Sequence, residues 1–184
     1  MPAAVESSLD VALWLIDRAI KDSEYLQPQK LQRLMFLAQA YYAATHAGRR
    51  LMPAVFVADD VGPIEPNVYR ILEAGRPHLE VRRIPDRVQH FLDGVWRRFG
   101  PHSTDHLSRL LRSHPPYAEA WQRGRLAEIS IEAMATFYAA SGRGTEAAAP
   151  PVSEVLRSRL LRSQTGKPVA VTQWLPPSQA SQKK

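Results

Sequence analysis

His102 and His106 stand four residues apart with Asp105 beside them, the spacing in this sequence that comes nearest to a metal-ligand pair. On one helix they would share a face, as two ligands of a transition metal must. Pro101 opposes helical geometry at His102 and no third ligand is spaced to join them, so solvated surface is the plainer reading. Asp59 and Asp60 are of the type that does general acid–base work. Neighbours on a strand point to opposite faces, however, so the two would not act on one substrate atom. His114, ahead of Pro115 and Pro116, has no serine or aspartate at a recognisable triad spacing and reads as a hydrogen-bonded loop residue. The nine glycines are scattered and form no phosphate-cradling loop, and without cysteine there is neither a thiol nucleophile nor a thiolate zinc site. The expectation is therefore no catalytic residue, no metal and no cofactor. A hydrolase built on His114 or the aspartate pair is the least favoured of the functional classes.

Helices must position whatever this chain uses. Ser7 or Ser8 can cap a first helix to about Asp22, with Leu9, Ala12, Leu13, Ile16 and Ile20 on one side. Pro28 opens a second to about Thr45, with Leu31, Leu34, Met35, Ala38, Tyr41 and Tyr42 facing inward and Gly48 closing it. Residues 54 to 58 are β-branched and aromatic and predict a short strand, with the segment Glu80 to Ile84 as its partner. Short helices follow from Pro66 to Glu73, from Pro85 to Gly100 on an apolar series of Val88, Phe91, Leu92, Val95, Trp96 and Phe99, over 104 to 113, and over 117 to 122. Ser130 caps a last one to about Ala140. The fold expected is mainly α, α+β only through one minor hairpin, with residues 1–140 as a compact helical domain.

The net charge of +6 is uneven, because residues 1–140 hold 17 Lys and Arg against 16 Asp and Glu. Residues 141–184 carry seven bases and two acids, which places the positive excess in the tail. Residues 141–152, rich in Gly, Ala and Pro, read as a linker, and 153–184 as a basic, partly flexible extension. Within it, Ser153 to Arg162 predicts an amphipathic helix and Val169 to Leu175 a strand that carries Trp174. No apolar run approaches the ~20 residues of a membrane span, and the first 15 residues lack the basic start of a secretory signal, so the expectation is a cytoplasmic protein without a membrane partner.

Between the strand and the third helix runs Val61-Gly62-Pro63-Ile64-Glu65-Pro66-Asn67-Val68-Tyr69-Arg70. Gly62 can take a positive φ, Pro63 fixes the next φ, and Pro66 suits a first helical turn. Lys30, Arg33 and Arg70 are candidate exposed contacts near this corner, and Tyr69 a core residue whose hydroxyl reaches a backbone or surface partner.

Taken in order, three stretches resemble the Panacea domain, the SocA-like antitoxin family. They are the helix Gln27 to Tyr42, the strand and Gly62-Pro63 corner leading to Tyr69, and Leu110 to Trp121. That family is similar in its Lys-Leu-Gln-Lys-Leu helix, its Ala-x-x-x-Gly-Pro-Val turn with a following Tyr, and its Thr-His and Pro-Trp segment. Lys30, Leu31, Gln32, Arg33, Leu34, Ala38, Gln39, Ala58, Gly62, Pro63 and Tyr69 match it over roughly residues 9–140. Val61, Ser113 in place of threonine and Tyr117 in place of tryptophan depart from it. The resemblance implies an antitoxin that binds a cognate protein toxin, and in the SocA branch a proteolytic adaptor that hands the toxin to ClpX of the ClpXP protease. In that setting the tail would dock on the toxin, with Trp174 filling a pocket, or tether the protease. The alternative is a DNA-binding regulator with Arg157, Arg159 and Arg162 on phosphates, whose logarithmic affinity would fall against logarithmic salt concentration with about one unit of slope per phosphate neutralised.

Overall fold

The computed structural model describes residues 2–73, 75–77, 82–141 and 149–156, and the backbone of 160–162 and 168–170. The chain is mostly helical. It runs α1 (Ser8–Lys21), α2 (Pro28–Thr45), β1 (Phe56–Asp59), β2 (Gly62–Ile64), α3 (Pro66–Glu73), α4 (Asp86–Phe99), α5 (Thr104–Ser113) and α6 (Pro115–Arg123), then β3 (Glu128–Ile129), α7 (Ile131–Ala140), α8 (Val152–Val155), β4 (Leu160–Arg162) and β5 (Pro168–Ala170). Local chemistry sets most of these boundaries. The hydroxyls of Ser7, Ser103 and Ser130 accept from Leu9, His106 and Ala133 N–H and so cap α1, α5 and α7. Proline occupies the first turn of α2 and of α6, where its missing N–H costs nothing.

α2 is the axis of the fold, with α1, α3, α4, α5, α7 and β2 all packing on it. Every residue from Leu31 to Ala43 is buried, on all faces and not only on the predicted inward stripe. A helix surrounded on every side must hide its polar side chains as well, and Gln32, Arg33 and Gln39 are all buried. Around its middle, Phe36 meets Phe56 edge-on at 5.4 Å between centroids, and Tyr41 meets Tyr138 at 4.9 Å.

The small sheet has the order β2-β1-β3, antiparallel throughout, with Val57 opposite Ile64 and Phe56 opposite Ile129. This corrects the strand pairing read from sequence. The partner of the first strand is the Gly62–Ile64 segment itself, which is a strand and not merely a corner, together with a two-residue strand too short to leave a periodic signal. Arg82 to Ile84 has no strand structure, and Glu80 and Val81 lie outside the described residues.

The folded body includes residues beyond Ala140. Ala149 is buried, the Tyr41 hydroxyl donates to the Pro150 carbonyl at 2.7 Å, and α8 packs on α4. Gly94 makes that seat possible, since a Cβ there would lie 2.8 Å from the Val155 carbonyl oxygen. Gly94→Ala is therefore expected to unseat residues 149–156, costing about 1 kcal/mol and raising amide exchange across that segment. Unchanged exchange would refute this role. The amphipathic helix expected over Ser153–Arg162 stops at Val155, and Leu160–Arg162 instead pairs with Pro168–Ala170 as a β-ladder. A ten-residue helix has too few internal bonds to hold on its own, and the first turn that does form packs on α4.

Candidate functional site

Three polar side chains of α2 turn outward from the helix to hold loop backbone. The Gln39 carbonyl accepts from Leu51 and Met52 N–H at 3.0 and 3.1 Å, while its amide donates to the Met52 carbonyl at 3.3 Å. Gln32 accepts from Glu65 N–H at 2.7 Å. Arg33 reaches the hairpin, where it donates to the carbonyls of Val61 and Pro63 and to the Ser108 hydroxyl. The Glu65 carboxylate then caps α3 by accepting from Val68 N–H at 2.6 Å. The β1–β2 hairpin is thus clamped from beneath by one helix.

Arg33 corrects the sequence reading most sharply, being fully buried where an exposed contact was expected. Burial pulls its guanidinium down to about 10, so it remains a cation at neutral pH. Its bonded partners are two carbonyls and a hydroxyl, with no carboxylate among them. Gly62 is its lid, with φ +118° and room for no side chain, because a Cβ would sit 2.9 Å from Arg33 Nε. Lys30 is also corrected. It is partly buried and pairs with Glu24 at 3.7 Å instead of standing free. Gly62 and Pro63 are buried as well, Tyr69 is half-buried and Arg70 exposed. Arg157, Arg159 and Trp174 lie outside the described residues, and Arg162 is placed only as a backbone position opposite Pro168.

What the clamp presents is the tip of the hairpin and the loop beside it. Asp59 ends β1 and Asp60 begins the turn, so the two do not alternate as on a continuous strand. Arg125 reaches both, at 3.2 Å from Asp59 and 3.5 Å from Asp60. Leu126 N–H donates to the Ala58 carbonyl at 2.7 Å, and the Tyr117 hydroxyl donates to the Asp59 carbonyl at 2.6 Å. Trp121 stacks on Tyr117 with the rings 8° from parallel. Val61, Trp121 and Leu126 are consequently gathered about one tip, and they are 39 %, 39 % and 51 % exposed. Leu126 holds φ +63°, a conformation that disfavours a leucine. The sequence reading missed Val61, Arg125 and Leu126 as members of a surface. They fall in a turn and a loop where no periodicity marks the outward side. Trp121 alone carried a signal, as a large aromatic on a short helix with exposed neighbours.

The histidines behave differently from one another. His102 and His106 stack at 4.5 Å, and His102 Nε2 sits 3.0 Å from the Arg98 guanidinium. Among the described residues no group of three or more His, Cys, Asp or Glu could hold a metal ion. His114 is buried, its Nδ1 2.9 Å from the Tyr138 hydroxyl and its Nε2 without a partner. Burial drives its pKa down to about 4, against about 6.5 in the unfolded chain. Above pH 6.5 the ring is neutral in both states and stability does not depend on it. As pH falls from 6.5 towards 4 the unfolded chain takes up a proton that the folded one refuses, so stability is lost, by about 2 to 3 kcal/mol at the lower end. Urea midpoints at pH 7 and pH 4.5 should therefore fall further apart in the wild type than in His114→Phe. Parallel losses in the two proteins would refute the assignment.

No protein-family model, curated protein or solved structure matches this chain. Nor, among the described residues, is any helix long and apolar enough to cross a membrane. The site therefore rests on its own geometry: a hairpin tip held from beneath by Gln32 and Arg33 and flanked by exposed apolar side chains and Arg125.

Proposed function

We propose that this chain is an antitoxin that neutralises a cognate protein toxin by direct contact, and that it acts as an adaptor presenting that toxin to ClpX of the ClpXP protease. The observation that carries the reading is the convergence of the matched residues. Gln32, Arg33, Gly62 and Pro63, which carry the likeness to the SocA-like antitoxins, meet at a single clamp under the hairpin, with Gln39 of the same helix pinning the adjoining loop. A motif whose residues jointly hold one surface feature rigid is what a binding module needs, because a preorganised contact loses less entropy on association. Val61, Trp121 and Leu126 supply that surface with apolar anchors, and an aromatic such as Trp121 is of the kind that dominates interface energies.

Co-expression with the product of the neighbouring gene tests the proposal. The expected outcome is that the neighbour arrests growth alone, is harmless beside this chain and co-purifies with it. A neighbour that is harmless alone, or that fails to co-purify, overturns the antitoxin reading. A neighbour that is neutralised at undiminished abundance in cells with active ClpXP overturns the adaptor half only.

A further inference from the structure

Away from the hairpin, Ile16 and Ile20 of α1, Leu26, Leu31 of α2 and Leu72 of α3 line a groove of about 290 Å³. Tyr25 and Ile20 stand on its rim at 83 % and 60 % exposure, with Ile71 of α3 nearby at 40 %. Large apolar groups concentrated on one exposed face signal a surface that is covered in use.

We infer that the covering element is this chain's own C-terminal segment, with Trp174 and Leu175 as its anchors. The place where the described chain ends supports this occupant. Leu156 packs against Gly94 of α4. One residue earlier on that helix, Asp93 pairs with Arg18 of α1 at 2.9 Å, and Trp96 donates to Asp22 at 2.8 Å. Asp22 falls between Ile20 and Tyr25 in sequence, so the seat of Leu156 and the rim of the groove are bridged by α4 and the end of α1 alone. At about 10 Å per helix packing that separation is roughly 20 Å. From Leu156 the chain needs four residues to Leu160, one step across the ladder to Ala170 and four residues to Trp174. At about 3.4 Å per residue and 4.8 Å per strand step it can reach roughly 32 Å. The length is therefore sufficient with about 12 Å to spare, and the short tether keeps the effective concentration of the anchor high.

The chemistry agrees with the reach. Trp174 is the sole aromatic residue after Tyr138, and it leads Leu175-Pro176-Pro177. The two prolines restrict the backbone to extended conformations, so seating the two apolar side chains ahead of them forfeits less entropy than seating an unrestrained peptide. Charge does not choose the occupant, because Glu24 of the groove wall pairs with Lys30 and Arg76 of the wall pairs with Asp17, so the apolar pair Trp174-Leu175 carries the match.

Because the protein has no cysteine, a pair of engineered thiols reports this contact in the full chain without background. Tyr25→Cys with Leu175→Cys should form an intramolecular disulfide under mild oxidation at least tenfold faster than Val55→Cys with Leu175→Cys. The Val55 site is 46 % exposed on the sheet side. Adding Trp174→Ala to the first pair should remove that advantage. Equal rates for the two pairs would mean a tail with no preferred seat. A disulfide formed only between chains would mean a second copy in the groove. Either result overturns the inference. None of these readouts depends on a toxin, so the inference can fail while the antitoxin reading stands, and the reverse.

Discussion

Gly62→Ala is expected to lower stability by about 2 to 4 kcal/mol, a fall in Tm of roughly 5 to 12 °C for a body of this size. Two costs combine. At φ +118° the new methyl group strains the backbone whatever the space around it, and the methyl itself would lie 2.9 Å from Arg33 Nε. Arg33 cannot retreat, being fully buried and committed to the Val61 and Pro63 carbonyls and to Ser108. Arg33→Ala alone should cost about 3 kcal/mol, because relief from burying a cation only partly offsets the cavity and the carbonyls left without a donor. Together the two substitutions should cost less than their sum by about 1 to 2 kcal/mol, since without the guanidinium the methyl group has room and only the backbone strain persists. Urea denaturation of the four proteins measures the cycle. Additivity within about 0.3 kcal/mol would mean that glycine and arginine do not meet, and the clamp would be lost with it. Arg33→Lys should behave more like alanine than like arginine, since one ammonium group cannot span two carbonyls and a hydroxyl in a planar fork.

That coupling also explains why the helices were readable in the sequence and the site was not. Ser7 and Ser130, the prolines at the starts of α2 and α3, and the apolar series of α4 are local signals, and the structure places elements at each of them, while α6 begins at Pro115, two residues ahead of the start expected from sequence. Arg33 carries no such signal. Its charge predicts exposure, and only the approach of a hairpin about 30 residues later along the chain, roofed by a glycine, turns it inward. Lys30, three residues earlier, was misread for the same reason on a smaller scale, its free charge being taken up by Glu24. The sheet failed for want of length. β2 and β3 have three and two residues, below the span over which alternation can be recognised. The resemblance picked out Gln32, Arg33, Gln39, Gly62 and Pro63 without assigning them a structural task. The hydrogen bonds assign one to the three α2 side chains: each fastens a different stretch of backbone to the same buried helix.

A clamp that holds a tip rigid matters only if the tip touches something, and Trp121→Ala carries the second large effect. Under the antitoxin function proposed above, affinity for the cognate toxin is expected to fall roughly 100-fold or more, about 3 kcal/mol, while the circular dichroism spectrum and the urea midpoint stay close to wild type. The separation between binding and folding follows from position. Trp121 is 39 % exposed and rests on Tyr117, whereas Tyr117 is buried and donates to the Asp59 carbonyl under the tip. Removing the indole therefore strips the outer layer and leaves the support intact, and removing Tyr117 would damage both. Val61→Ala should weaken binding by a smaller factor, roughly tenfold, because a valine offers less area to desolvate. Tyr25→Ala, at the separate α1–α3 groove, should leave affinity unchanged. Titration of purified toxin with the three variants distinguishes the surfaces. If Trp121→Ala binds like the wild type and Tyr25→Ala does not, the toxin sits in the groove and the hairpin is scaffold. The tail would then compete with the toxin for one seat, and Trp174→Ala should tighten binding, whereas a toxin seated on the hairpin tip leaves Trp174→Ala without effect on affinity.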